Sequence, residues 1–199
     1  MKKNNKILHL GCGKTKIPNA VGLDIVDIKG YVDVVHDLNI IPYPFKKESF
    51  NEIHMYHVLE HLDNPIKVME ELHRILQSEG LLHLRVPHFS SMGAFTDITH
   101  KRPFGVYSFD CFEKNSYQHF YTSVEFKILK KEIKYLGLYP NDGLYEKYIH
   151  SNSCPWYVRP FVRILNKLIN SAPTFFERIW CYWVGGATEV VVTLKKVKS

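Results

Sequence analysis

The chain of 199 residues and 23.3 kDa carries a formal net charge of +6, with 45% hydrophobic, 23% charged and 14% aromatic residues. This composition excludes disordered, collagenous and coiled-coil chains and allows one domain with a sizeable core. Residues 1–80 sum to −1, 81–126 to 0 and 127–199 to +7, so the basic surplus is C-terminal, suited to an anionic substrate, a phospholipid surface, a nucleic acid or a merely solvated face.

Lys6 to Leu10 is a short apolar run closed by Gly11-Cys12-Gly13, and Val21 to Asp24 a second run closed by a carboxylate. Val32 to His36, just before Asp37, is a third, and Asn51 to Met55 a fourth. Runs of this length, bounded by glycine or polar residues, predict strands. Asp63-Asn64-Pro65 reads as a cap with proline in the first helical turn, and Ile66, Met69, Leu72 and Leu76 continue a helical stripe to Gly80. Leu81 to Val86 predicts a fifth strand, stopped by Pro87. This alternation predicts a mainly parallel sheet with its ligands at the carboxyl ends of the strands.

Pro87 to about Phe120 is rich in Ser, His and aromatic residues and longer than packing alone requires, which predicts a loop over an active site. Val124 to Tyr135 alternates imperfectly, as a bulged strand does, and the β-branched stretch Thr188 to Leu194 predicts the last strand. Between them, Val158, Phe161, Val162, Leu165, Leu168 and Ile169 oppose Arg159, Arg163, Asn166 and Asn170, the pattern of an amphipathic basic helix over 158–170. The aromatic run Phe175 to Trp183 reads as core or as a dimer interface.

Cys12, Cys111, Cys154 and Cys181 are scattered with no CxxC pair, which predicts reduced thiols and a cytoplasmic setting. The basic start, Met1 to Lys6, precedes an apolar stretch too short for a signal sequence, and no run of about 20 apolar residues is present.

A strand running into Gly11-Cys12-Gly13 lets backbone N–H groups approach a ligand, and Asp24, closing the next strand, is placed to accept from a ribose diol. Asp37, closing the third, is suited to the amino group of adenine. The order Leu8-His9-Leu10-Gly11-Cys12-Gly13, Gly22-Leu23-Asp24, His36-Asp37-Leu38-Asn39, Phe50 to Leu62 with its HVLEHL block, then Ser78-Glu79-Gly80-Leu81-Leu82, resembles the class I S-adenosylmethionine-dependent methyltransferases. The likeness covers about residues 6–87 and the closing strands.

The resemblance implies a donor site in which Gly11 and Gly13, with His9 and Cys12, face the methionine and ribose. Asp24, followed by Ile25, takes the ribose hydroxyls, Asp37 and the Leu38 backbone take adenine, and Tyr56 and His57 line the methyl side. The sequence departs from the family at His9, where an acidic residue is usual, and at Thr15, where the third glycine is usual.

His57-Val-Leu-Glu60-His61 also fits the H-x-x-E-H pattern of inverzincin metallopeptidases. Asp63-Asn64-Pro65 follows so soon that little helix remains to hold two ligands in register, so the segment is read as donor site and no metal is expected. A hydroxyl acceptor must lose a proton during methyl transfer; His100 oriented by Asp97 reads as the base, with His57 or His88 as alternates. Against it stand a loop-pinning role for Asp97 and His100 and a metal held by His88, Asp97 and His100. His88, Ser90, Lys101 and Arg102 read as acceptor contacts, the last two for a phosphate or carboxylate.

The expected architecture is a single Rossmann-like α/β domain, a seven-stranded, mostly parallel sheet with helices on both faces and a helical insertion at about 140–187. Residues 1–87 form its cofactor half, 88–122 the active-site loop and 123–199 the closing strands. The expected activity is methyl transfer from S-adenosylmethionine to oxygen of a small molecule or of a cell-surface glycan or lipid precursor. No nucleic-acid partner is expected, while 158–170 is a candidate for peripheral contact with the inner membrane face and the chain for a homodimer. The alternatives are an NAD-dependent oxidoreductase, against which the turn reads GCGKT and not GxGxxG, and an RNA-binding or RNA-modifying protein using the basic tail.

Overall fold

The computed structural model describes residues 6–135, 157–183 and 185–197. Seven strands form one sheet: β1 (Ile7–Leu10), β2 (Ala20–Asp24), β3 (Val34–Val35), β4 (Phe50–Tyr56), β5 (Leu76–Pro87), β6 (Phe126–Lys134) and β7 (Glu189–Lys196). Their spatial order is β3-β2-β1-β4-β5-β7-β6, with β7 antiparallel to both neighbours and the first five strands mutually parallel. This is the Rossmann-like α/β fold. The chain reverses its direction of winding between β1 and β4, so the ends of those strands flank the crevice where such sheets bind ligands.

Helix α1 (Pro65–Ile75) starts where Asn64 accepts the Lys67 N–H at 3.1 Å, with Pro65 in the first turn. Its stripe Val68, Met69, Leu72 and Ile75 is buried against Leu8, Leu10, Ile53, Met55, Leu82 and Leu84, the centre of the main core. The helix does not run on to Gly80. It stops at Ile75, and Leu76 already pairs with Phe50 as the start of β5. Lys196, 2% exposed on β7, donates to the carbonyls of His73 (2.9 Å) and Leu76 (2.8 Å), so a cation from the last strand satisfies the helix end.

The opposite face of the sheet is polar. His9, His54, His83 and Thr193 lie side by side across β1, β4, β5 and β7, the rings of His54 and His83 stacked 4.7 Å apart. The third strand is shorter than its apolar run suggests, because the Asp33 carboxylate turns to the Gly22 N–H (2.7 Å) and the Lys16 ammonium (3.0 Å).

The long connection after β5 is not simply a cover over the sheet. It contains the four-residue helix α2 (Gly93–Thr96) and tight turns, and its Phe104, Phe109 and Phe112 are buried in the main core. Strand β6 is bulged between Ile128 and Lys130. Helix α3 (Arg159–Ser171) confirms the basic helix but reverses part of its expected orientation. Val162 and Ile169 are buried, Phe161 and Leu168 are exposed, and Asn166 and Asn170 face inward. Their amides exchange hydrogen bonds with both N–H and C=O of Tyr135 and Ile133 on the outer edge of β6. Short helical turns from Pro173 to Trp183 follow, with Phe176 buried and Phe175, Tyr182 and Trp183 exposed.

Candidate active site at the strand ends

Gly11 and Gly13 both have left-handed backbone conformations, φ 62° and 47°, so the turn after β1 depends on residues without a Cβ. The two glycines differ in what surrounds them. A Cβ on Gly11 would lie 2.2 Å from Val58 Cγ2, whereas one on Gly13 would meet nothing within 4 Å. Gly11 packs; Gly13 borders open space. Asp24 fastens this turn, accepting the Gly13 N–H at 2.9 Å and the Val26 N–H at 3.2 Å. Ile25 beside it is 63% exposed, and Ile40, past Asp37, is 60% exposed.

His9 is buried beneath the turn, accepting the Ile17 N–H through Nδ1 at 3.3 Å and meeting the Tyr56 ring edge-on. Burial, with the nearby His54, depresses its pKa to about 4, so the ring is neutral. The Cys12 side chain is fully buried, and burial lifts its thiol pKa to about 11. Both support the turn from below. Asp37 caps its own turn through the Asn39 N–H (2.9 Å), and the Leu38 carbonyl accepts from Tyr43 OH (3.0 Å).

Across the crevice, β4 ends in Tyr56, whose hydroxyl lies 2.6 Å from His54 Nδ1, and His57 follows with a left-handed φ of 54°, an unfavourable conformation for a side-chain-bearing residue. His57 stands between two fully buried carboxylates, Glu189 at 3.2 Å and Glu60 at 3.5 Å. Burial works against its charge, but hydrogen bonds to Glu189 and Glu60 outweigh it and push its pKa up to about 9. Arg85 completes the group with a bidentate bond to Glu189 at 2.8 and 3.2 Å.

The segment 97–102 lies against the Leu59–His61 turn. Lys101 N–H donates to the Glu60 carbonyl (2.8 Å), Lys101 Nζ meets Asp63 (2.5 Å), and Arg102 donates to the carbonyls of Leu62 and Asp63. Lys101 and Arg102, expected to contact an anionic acceptor, are therefore spent on the chain's own carbonyls and carboxylate. Asp97 lies 3.8 Å from His100, at ion-pair distance but without a hydrogen bond, and accepts from the Thr99 N–H (2.9 Å) and hydroxyl (2.6 Å). His100 is held by the Ala94 carbonyl instead, at 3.3 Å from Nδ1.

His88 and Ser90 are also engaged within the chain. His88 is fully buried between Ser90 Oγ (2.6 Å) and Glu177 (3.0 Å), and Ser90 accepts the Ala187 N–H. These contacts dock the Pro173–Trp183 segment. They leave no metal set of His88, Asp97 and His100. The H-x-x-E-H segment forms one tight turn, Leu59–His61, and not an α-helix carrying two histidines on a face. A broad cleft of about 1120 Å³ opens elsewhere, between Tyr107, Asp110, Lys127, Thr174 and Arg178, and includes none of these strand-end residues.

A family model described as a methyltransferase domain matches residues 2–131. The chain belongs to that family, as a class I, S-adenosylmethionine-dependent methyltransferase. Among solved structures, this methyltransferase is similar to a SAM-dependent methyltransferase from Archaeoglobus fulgidus, at 19% identity and TM-score 0.52, covering 96% of this chain and 86% of that one. It is also similar to an S-adenosylmethionine-dependent methyltransferase from Mesorhizobium loti, at 13% identity and TM-score 0.53, covering 96% and 90%. A third is the methyltransferase solved with the Trm112 activator of Haloferax volcanii, at 12% identity and TM-score 0.55, covering 100% and 85%. At these identities the likeness is one of fold. No curated protein matches the sequence. No helix among the described residues is long and apolar enough to cross a membrane.

Proposed function

We propose that this methyltransferase transfers the methyl group of S-adenosylmethionine to an oxygen of a small molecule or of a glycan or lipid precursor. The observation that carries the donor half is Gly13, left-handed, fastened to Asp24 and bordered by open space on the side a Cβ would fill. Asp24 uses two of its acceptor sites on backbone N–H groups and keeps others for the ribose hydroxyls. Ile25 and Ile40 offer apolar surface to the adenine ring, with Asp37 and Leu38 at its edge. Tyr56 and His57 bound the methyl side. When bound, the donor supplies an electrophilic sulfonium methyl; the residues align the acceptor with it and manage the acceptor's proton.

For that second task we assign the group Glu60, His61 and His100 in place of an Asp97–His100 pair, because Asp97 is already engaged by the Thr99 N–H and hydroxyl. His57, charged at neutral pH, serves as an electrostatic partner to the acceptor oxygen and not as its base. A lipid-linked acceptor is supported by α3, where exposed Phe161, Ile164 and Leu168 adjoin Arg159, Arg163 and Lys167. Calorimetric titration with S-adenosylmethionine tests the donor site. Saturable binding that Asp24→Ala weakens at least tenfold is expected; no binding to folded protein overturns it. Transfer of labelled methyl to hydroxyl acceptors, against amine and thiol analogues, tests the oxygen. Binding of the chain to neutral but not anionic vesicles, or to neither, removes the membrane contact.

A further inference from the structure

Glu60 is fully buried at the base of the Leu59–His61 turn; His57 Nδ1 lies 3.5 Å from its Oε1, and its Oε2 has no hydrogen-bond donor among the described residues. A buried carboxylate left this way is costly. The neighbouring cations relieve it only in part. Lys101 is held by Asp63 and Arg102 by two carbonyls, while His57, at 3.5 Å, is shared with Glu189.

Its remaining neighbours are two histidines. The Thr99 hydroxyl gives its proton to Asp97, so it can only accept from His61 Nδ1 at 2.9 Å; the neutral form of His61 then has its lone pair on Nε2. His100 Nδ1 faces the Ala94 carbonyl at 3.3 Å, so in the neutral ring Nε2 is the acceptor, 3.9 Å from Glu60 Oε1 and 3.8 Å from Asp97 Oδ2. One ligand atom from each of Glu60, His61 and His100 lies within 4.8 Å of the others. A buried carboxylate and two imidazole nitrogens converging in this way suit a cation between them.

We propose that Glu60, His61 and His100 bind a divalent first-row transition-metal ion of the zinc, iron or cobalt type. Two imidazoles and one carboxylate are a donor set for such ions that leaves coordination positions open. Bonds of about 2.0–2.1 Å in a tetrahedral site place ligand atoms about 3.4 Å apart, so the set, 3.9 Å between Glu60 and His100 and within 4.8 Å throughout, must contract on binding. Each histidine already has a partner on its far nitrogen, Thr99 backed by Asp97 for one and Ala94 for the other, as metal-bound histidines usually do. Glu60 forms the buried floor, while His61 and His100 remain partly exposed.

The site stands on this geometry; only its use rests on the methyl-transfer reading. In that use, an acceptor hydroxyl occupies an open position on the ion, which makes its proton easier to lose before the oxygen attacks the methyl carbon. The proton leaves to solvent, and the carbon–sulfur bond breaks as the carbon–oxygen bond forms.

Cobalt(II) titrated into metal-stripped protein, read by visible absorption, tests the site, while calorimetry with S-adenosylmethionine reports separately on folding and donor binding. One equivalent of cobalt is expected to bind. His100→Asn and His61→Asn are expected to weaken it on the order of 100-fold and Thr99→Val about tenfold, all with donor affinity unchanged. His83→Asn serves as a control, because Glu52, His54 and His83 form the other cluster of potential ligands. Absence of a saturable cobalt spectrum in protein that binds the donor, an unchanged spectrum in both His61→Asn and His100→Asn, or loss of the spectrum in His83→Asn alone would each overturn the proposal.

Discussion

The two sides of the crevice are built differently. On the β1 side the backbone makes the surface: two left-handed glycines, a turn fastened by Asp24 over an interval of eleven residues, and side chains such as His9 and Cys12 confined underneath. On the β4 side the backbone is hidden and side chains make the surface, joined across large sequence separations, as His57 and Arg85 to Glu189 or Arg102 to Leu62. A backbone-built surface tolerates little change in its own residues but depends little on distant ones. A side-chain-built surface is the reverse.

The comparison is broken hardest on the β4 side. Replacing Arg85 by Leu leaves Glu189 buried without its bidentate partner and is expected to cost about 4 kcal/mol in urea unfolding. A loss under about 1 kcal/mol would mean that the ion-pair group is not needed for folding.

Acid reaches the β1 side through His9, as it reaches β4 through His54, whose pKa burial also lowers to about 4. The native pKa of His9 is depressed to about 4 from 6.5, so the unfolded chain binds its proton first. The stability His9 contributes is complete above about pH 6.5 and falls as pH drops toward 4, by about 3 kcal/mol in all. In His9→Asn, the pH dependence of unfolding over that window should lose about one proton's worth of slope.

Within the turn itself, Gly11→Ala is expected to cost about 2–3 kcal/mol, from overlap with Val58 added to backbone strain. Gly13→Ala should cost only about 1 kcal/mol, from strain alone, yet weaken S-adenosylmethionine more than tenfold because its Cβ enters the open space. Equal effects of the two on stability and binding would erase the distinction drawn between them. The smallest effect expected is that of Thr99→Val, about 1 kcal/mol of stability with donor affinity untouched.

What was legible in the sequence follows the same division. Gly11, Gly13 and Asp24 lie within one strand-turn-strand unit, so their order and spacing announce their geometry, and the Asn64-Pro65 start of α1 is local in the same way. His88, Ser90, Lys101 and Arg102 carried the chemistry of acceptor contacts, but each is engaged by a segment well away from its own, and no local pattern reveals that a charge is already paired. The converse holds for Glu60. Nothing in HVLEHL marks it as a buried carboxylate facing two further histidines, since that depends on where 97–102 lies. Asn166 and Asn170 read as a solvated face because helical periodicity separates polar from apolar and does not distinguish water from an open strand edge as the polar partner.

Those two asparagines have a consequence for how molecules of this kind meet one another. A sheet can grow into a neighbouring molecule only through an edge with unused amides and carbonyls. One border of this sheet is a strand of two residues, Val34–Val35, and on the other the carboxamides of α3 stand in for an eighth strand at Ile133 and Tyr135. Strand addition is thus discouraged at one rim by brevity and, at Ile133 and Tyr135 of the other, by mimicry.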